Sequence, residues 1–329
     1  MKKALVIFIL ALFVATGAFA QLSVAGQLLT NLAVNIPFGE DEFNFAEDSN
    51  WIYDYLHSGN WLQVAGSGEN VSGWVRWRAN NSWRAAVNAN FAGATFTVGH
   101  AEPVARWGRL PFLNDSMWSM GASAVGGNTV YTQIRLTDVG LYVGLVQPGA
   151  LLAKGIDNTP FPGFYAGYDM NIADIALRVA FVGVPTSKPN DDFVLSFMGN
   201  VYALIGNLGP ASIAVNASIY SNPEFGEIFT VASAIGGVGA GAGEDNLMVA
   251  EGMLDVSAAV GPGTFGVVGG LVTNFDGNRD GIALQVGAHY TYPLAPGFVV
   301  IPGAIFRTVM GDDGYADNLR IGLTFRYGF

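Results

Sequence analysis

Three arginines stand close together at Arg76, Arg78 and Arg84. In Val71–Ala79 a period of two puts Trp74, Arg76 and Arg78 on one side and Val71, Val75 and Trp77 on the other. In Trp83–Phe91 it sets Arg84, Asn88 and Asn90 against Ala85, Val87, Ala89 and Phe91. Further along, Glu251 and Asp255 share a face opposite Ala250, Leu254, Val256 and Ala258, and Asp169, Asp174 and Arg178 add charges of the same kind. A charge on one face of an otherwise apolar strand makes neither a nucleophile nor an acid–base pair. Its chemistry is electrostatic. Opposed rows of basic and acidic groups along a wet wall set a field that orients dipolar solutes and disfavours apolar ones. Facing lipid, the arginines would cost about 2–4 kcal/mol each at the midplane and the carboxylates somewhat less, so all are expected to face inward.

Other chemistries find little support. The chain has no cysteine, hence no disulfide, thiolate metal site or cysteine nucleophile. Its histidines are His57, His100 and His289; His289 sits in a strand pattern beside Gln285 and Thr291 with no serine two residues away, so it reads as wall lining. Asp276–Gly281 (DGNRDG) echoes a calcium loop, but the twelfth position is Gly287 where a glutamate is needed. Gly236–Gly243 (GGVGAGAG) lacks the spacing of a dinucleotide loop. The expectation is no enzyme and no cofactor. A formal charge of −11 also opposes a nucleic-acid partner.

The elements holding these charges follow from composition and periodicity. Residues 1–20, MKKALVIFILALFVATGAFA, read as a secretory signal peptide, with Lys2 and Lys3, an apolar stretch and a small-x-small site. That leaves 21–329 as a single domain. It is apolar on average (51 %) and sparsely charged (12 %), yet no run after the leader is long enough for a spanning helix. Alternating strands dilute their two faces in this way, and a transmembrane β-barrel is the fold that results. Alternation recurs in segments of about ten residues, with short and long connections taking turns. The fold expected is all-β: an antiparallel up-and-down barrel of about 16 strands. The alternative is 14, if Trp83–His100 is one strand and Trp61–Gly66 a loop. Inward Tyr131, Tyr165, Tyr202 and Tyr220 would fill part of the lumen, and acidic Gly39–Asn50 is expected as an exposed loop.

Leu319, Ile321, Leu323, Phe325, Tyr327 and Phe329 alternate with Arg320, Gly322, Thr324, Arg326 and Gly328. This ending resembles the terminal signature of bacterial outer-membrane proteins. The resemblance implies an outer-membrane location, contact with its lipid, and recognition of Phe325, Tyr327 and Phe329 by the barrel-assembly machinery. The stretch AAVNANFAGATFTVGHAEPVARW, Ala85 to Trp107, resembles the segment of the general diffusion porins that leads into a long, infolded third loop. Here that loop would be 101–127, and the resemblance implies that it narrows the pore. It also implies that Glu102 and Asp115 compensate Arg76, Arg78 and Arg84, although Arg106 and Arg109 on the same loop depart from the family pattern. The function implied is passive diffusion of small hydrophilic solutes and ions. Two other readings stay open: a closed or narrow barrel acting as a surface adhesin or structural protein, and a selective transporter of hydrophobic substrates. Those porins are typically trimers whose second loop latches onto a neighbour. The matching connection here, Asn80-Asn81, is only a tight turn, so a homotrimer stays open without support from that segment.

Overall fold

The computed structural model describes residues 21–38, 50–54, 60–78, 83–101, 124–125, 129–147, 163–187, 193–222, 229–230, 247–274, 281–311 and 314–329. Every described element is a strand. The first are β1 (Gln21–Phe38), β2 (Asn50–Asp54), β3 (Trp61–Ser67), β4 (Val71–Arg78), β5 (Trp83–Phe91) and β6 (Ala94–Ala101). Next come β7 (Ala124–Val125), β8 (Thr129–Leu136), β9 (Leu141–Gln147), β10 (Gly163–Ile172), β11 (Ile175–Ser187), β12 (Phe193–Leu208) and β13 (Ala211–Asn222). The rest are β14 (Phe229–Thr230), β15 (Leu247–Val260), β16 (Gly263–Asn274), β17 (Gly281–Ala295), β18 (Phe298–Gly311) and β19 (Gly314–Gly328).

Each barrel strand pairs antiparallel with its neighbour in sequence, and β1 pairs with β19 from Gln27↔Gly328 to Phe38↔Asp317. That last ladder closes the cylinder, so the barrel sheet has no open edge strand among the described residues. β2 and β3 are two pieces of one barrel strand: β2 runs along Asn31–Asn35 of β1 and β3 along Gln21–Gln27. The barrel therefore has 16 strands. The alternative of 14 falls for two local reasons. Ala92-Gly93 is a tight turn, with Gly93 at φ 75°, where glycine has no Cβ to clash. Trp61–Ser67 is a strand, paired on both sides.

Seven tight turns, at 68–70, 92–93, 137–140, 173–174, 209–210, 261–262 and 296–297, lie at the end of the barrel that holds Gln21 and Phe329. The connections at the other end fall largely outside the described residues. Two details differ from the sequence reading. Asn50 begins β2 instead of ending a loop. Asp174 belongs to the Ala173-Asp174 turn and is not part of the inner wall.

The outward face is apolar. On β9, Leu141, Val143 and Leu145 are 42 %, 49 % and 51 % exposed, while the alternate residues Tyr142 and Val146 are buried. Large apolar side chains exposed in one register around a closed sheet are what a hydrocarbon layer requires and what water opposes. Aromatic rings gather at both rims. Phe298 lies 6.5 Å from both Phe325 and Tyr327, and Tyr327 lies 6.0 Å from Phe329 at the turn end. Phe164, Phe181 and Phe197 follow one another at 5.9 and 6.3 Å nearer the other end.

Phe329 completes the closing seam. Its N–H donates to the Gly26 carbonyl (3.1 Å), and the Gly26 N–H donates to its carbonyl (2.9 Å). A Cβ on Gly26 would come within 2.3 Å of the Phe329 ring, so the ring sits on bare backbone. Gly26→Val is expected to push the ring off this seat and destabilise the barrel by about 1 kcal/mol, the worth of one aromatic contact. In that background Phe329→Ala adds almost nothing; full additivity in denaturant unfolding would contradict this seating.

Candidate functional site

The inner wall is built by the second parity of the same strands. On β4 and β5, Arg76 stands directly opposite Arg84, and on the other side opposite Gln63 of β3. The Arg76 Nε–H donates to Gln63 Oε1 at 2.9 Å. Its guanidinium lies 4.2 Å from the Trp61 ring and 5.6 Å from the Trp74 ring. Arg78 pairs with Trp61 one step further along β4. The structure thus brings Arg76, Arg78 and Arg84 to one patch of wall, as the alternation predicts. Gln63 and Trp61 complete the patch without having been singled out. Their signal was present, since Gln63 lies between the outward Leu62 and Val64.

A second cluster crosses β8 to β11 near the turns. Asp169 accepts from Arg135 Nη2 at 2.7 Å and from Arg178 Nε at 2.7 Å, with Arg178 Nη2 at 3.3 Å. The Arg135 guanidinium lies 5.6 Å from the Tyr142 ring centroid. A cavity of about 700 Å³ opens here, lined by Arg135, Asp138, Asp169, Asn171, Arg178 and Tyr202. Arg135 escaped the sequence reading although it stands between the outward Ile134 and Leu136.

Tyrosines thicken the wall beside this cluster. Tyr131 faces Gly99, Tyr165 faces Gly144 and Tyr142 faces Gly167 across adjacent strands. In each pair the ring occupies the space that a Cβ on the glycine would need. The Tyr165 hydroxyl is 3.1 Å from both the Thr132 carbonyl and Gln133 Oε1. All three tyrosines are buried. Tyr131 and Tyr165 point inward as expected, and Tyr202 lies half-buried at the cavity. The side chain of Tyr220 is outside the described set.

Further round, amides and hydroxyls line β12 to β17. The Asn200 side-chain amide donates to Asn216 Oδ1 (2.7 Å) and Ser218 Oγ (2.8 Å), and Ser212 meets Ser257 at 2.8 Å. Asp255, 1 % exposed, points inward, and its Oδ2 has no protein hydrogen-bond partner among the described residues. The same is true of both side-chain amide atoms of Gln285. Buried polar atoms of this kind call for water. His289 faces inward opposite Gly266. Glu251 is placed by backbone register opposite Ser218.

Glu102, Arg106, Arg109 and Asp115 lie outside the described residues. Of the long connection 101–127, Ala101 ends β6 and Ala124–Val125 forms β7, which pairs with β14 between β13 and β15.

The backbone resembles solved structures over nearly its whole length. The outer membrane channel DcaP of Acinetobacter baumannii is 13 % identical with a TM-score of 0.65, covering 94 % of this chain and 97 % of that one. An anion-selective porin from Comamonas acidovorans is 12 % identical with a TM-score of 0.57, covering 94 % and 99 %. The chain has the fold of the bacterial outer-membrane porins. OmpT of Vibrio cholerae, an outer-membrane protein, is similar in the same way, at 12 % identity and a TM-score of 0.55 over 94 % and 97 %. No family model and no curated protein matches the sequence. At these identities the likeness establishes the porin fold, and the apolar outward face fits it to an outer membrane.

Proposed function

We propose that this porin-fold barrel is an outer-membrane channel through which small hydrophilic solutes and ions diffuse passively. One observation carries the reading. The cylinder is closed and lipid-facing outside, while its inner wall holds arginines, carboxylates and amides, among them Asp255 and Gln285 atoms that need water. Such a wall suits a water-filled path and is poorly matched to a hydrophobic substrate. Arg76, Arg78 and Arg84 form one side of the constriction. The resemblance to the diffusion porins is what assigns the other side to connection 101–127, whose Glu102, Arg106, Arg109 and Asp115 lie outside the described residues. Glu251 and Asp255 line the wall beyond. Neither step of the reading uses a cofactor or a covalent reaction. The last strand, with Phe325, Tyr327 and Phe329, is what the assembly machinery engages.

Single-channel recording in planar bilayers tests this. Folded, inserted protein is expected to give stable, voltage-independent conductance steps and to let small sugars swell loaded vesicles. Silence from protein shown to be inserted would overturn the diffusion reading. It would favour a closed barrel, plugged by the inward tyrosines, whose exposed connections do the work.

A further inference from the structure

Besides the barrel wall, the described residues hold one more sheet. β7 (Ala124–Val125) and β14 (Phe229–Thr230) pair antiparallel, Val125 with Phe229 and Ala124 with Thr230. They form a sheet of their own, with no ladder to a barrel strand. β7 belongs to the connection between β6 and β8, and β14 to that between β13 and β15. Both connections lie at the end of the barrel away from the tight turns, because β6 and β13 each start at such a turn, 92–93 and 209–210, and run away from it. Only residues 126–128 separate Val125 from Thr129, so β7 lies within about 14 Å of the first residue of β8. Only residues 223–228 separate Asn222 from Phe229, so β14 lies within about 25 Å of the end of β13. Along the wall β8 and β13 are five strand spacings apart, about 24 Å at about 4.8 Å each. In a closed ring of 16 strands, five spacings are nearly a third of the way round. The two connections must therefore leave the wall to meet, since a straight line between two points on a ring passes over the opening inside it.

We propose that β7 and β14 form a strap over the mouth opposite the tight turns, and that this strap limits the size of solute the mouth admits. The proposal rests on the diffusion reading and adds a device to it. In the strap each connection is held by the other and not by a ladder to the wall. The residue types suit the pairing. Val125, Phe229 and Thr230 are β-branched or aromatic, and Ile228 and Val231 extend that run in the sequence, within a connection otherwise rich in glycine and alanine. The ladder is also short. A two-stranded pair standing alone is marginal in water, so this one opens and closes, while barrel strands paired on both sides stay shut. A solute that fits beside the strap is indifferent to it. One that needs the whole mouth passes only while the ladder is open.

The chain has no cysteine, so Ala124→Cys/Thr230→Cys can form one intramolecular disulfide. Directly opposite residues of an antiparallel pair have Cα atoms about 4.5–5.5 Å apart, inside the range a disulfide spans. Both positions lie outside the barrel sheet, so the variant leaves the barrel ladders untouched. Folded protein in vesicles is expected to form this bond on oxidation, read by alkylation of the remaining thiols and mass spectrometry, with each single-cysteine variant as control. In vesicle swelling the bond should leave the rate with the smallest sugar unchanged. It should lower severalfold the rate with the largest sugar that wild type admits, and a reductant should restore that rate. Phe229→Pro, which takes an N–H from the strand, should act the opposite way and admit larger sugars than wild type. Cysteines that stay reduced in folded, oxidised protein would overturn the strap. A disulfide that forms while oxidised and reduced protein pass the same sugars at the same rates would overturn its role in limiting size. Wild-type protein that passes no solute at all would overturn the diffusion reading, and the disulfide yield would still decide whether the ladder exists.

Discussion

Val286→Arg is expected to destabilise the barrel by about 2–4 kcal/mol, the cost of a guanidinium at the hydrocarbon midplane of a β-barrel. Val286 sits near the centre of β17, 58 % exposed, between outward Ile282 and Leu284 on one side and Tyr292 on the other. Its cross-strand partners are Gly269 and the outward Phe306, so no polar group shares its face to take up the charge. Ala65→Arg on β3 is the matched control. Ala65 lies between the outward Leu62 and Val64 and the exposed Ser67, pairs with the inward Trp74, and is half-buried. There the new side chain enters the wet wall, and a change of about 0.5 kcal/mol or less is expected, as for other water-facing substitutions. Reversible urea unfolding in phospholipid vesicles measures both. Equal costs would mean that the two faces are not lipid and water, and the fold would have lost its physical rationale as a membrane barrel.

The second large effect concerns two glycines under the inner tyrosines. A Cβ on Gly144 would lie 2.1 Å from the Thr132 carbonyl oxygen and 2.5 Å from the Tyr165 ring. For a Cβ on Gly167 the three nearest atoms all belong to the Tyr142 side chain, at 2.2 to 2.5 Å. Gly144→Ala is therefore expected to cost about 3 kcal/mol, at the upper end of overpacking, because a backbone oxygen in a closed sheet cannot step aside. Tyr165→Ala should not restore it. Gly167→Ala should cost less, and Tyr142→Ala in the same chain should remove most of the penalty, giving a coupling energy of about 1–2 kcal/mol. Denaturant unfolding of the two double-mutant cycles reads this directly. Similar rescue in both cycles would show that ring crowding alone, and not the sheet backbone, limits these positions. The difference bears on the lumen, since these rings project into it.

Much of the architecture can be read from period two alone. Leu141, Val143 and Leu145 point one way whatever the strands beside them do, because successive Cβ atoms on an extended chain alternate. For the same reason the inward parity of Arg76, Arg84, Arg178, Asp255 and His289 was legible, as was the outward parity of the final strand. Breaks in the alternation at 92–93, 209–210, 261–262 and 296–297 marked the turns, and hence the expected count of about 16, which the barrel has. Where the alternation is short, reading fails. β2 has five residues and two-residue β7 and β14 have almost no pattern, so none of them stood out. Asp174 was assigned to the wall because parity was continued through a turn, where it no longer holds.

What the sequence determined by itself is therefore the two-faced strand, the sparing use of charge, and the character of each face: apolar towards lipid, polar and charged towards the inside. What only the tertiary structure decided is which of those inward groups meet. Arg76 opposes Arg84, Asp169 joins Arg135 of β8 to Arg178 of β11, and Tyr165 lies on Gly144, because of strand register and closure. Register depends on the lengths of turns and on the ladder between β1 and β19, which joins residues some three hundred positions apart. A period of two carries no information about a partner at that distance, since sliding one strand by two residues leaves every face unchanged.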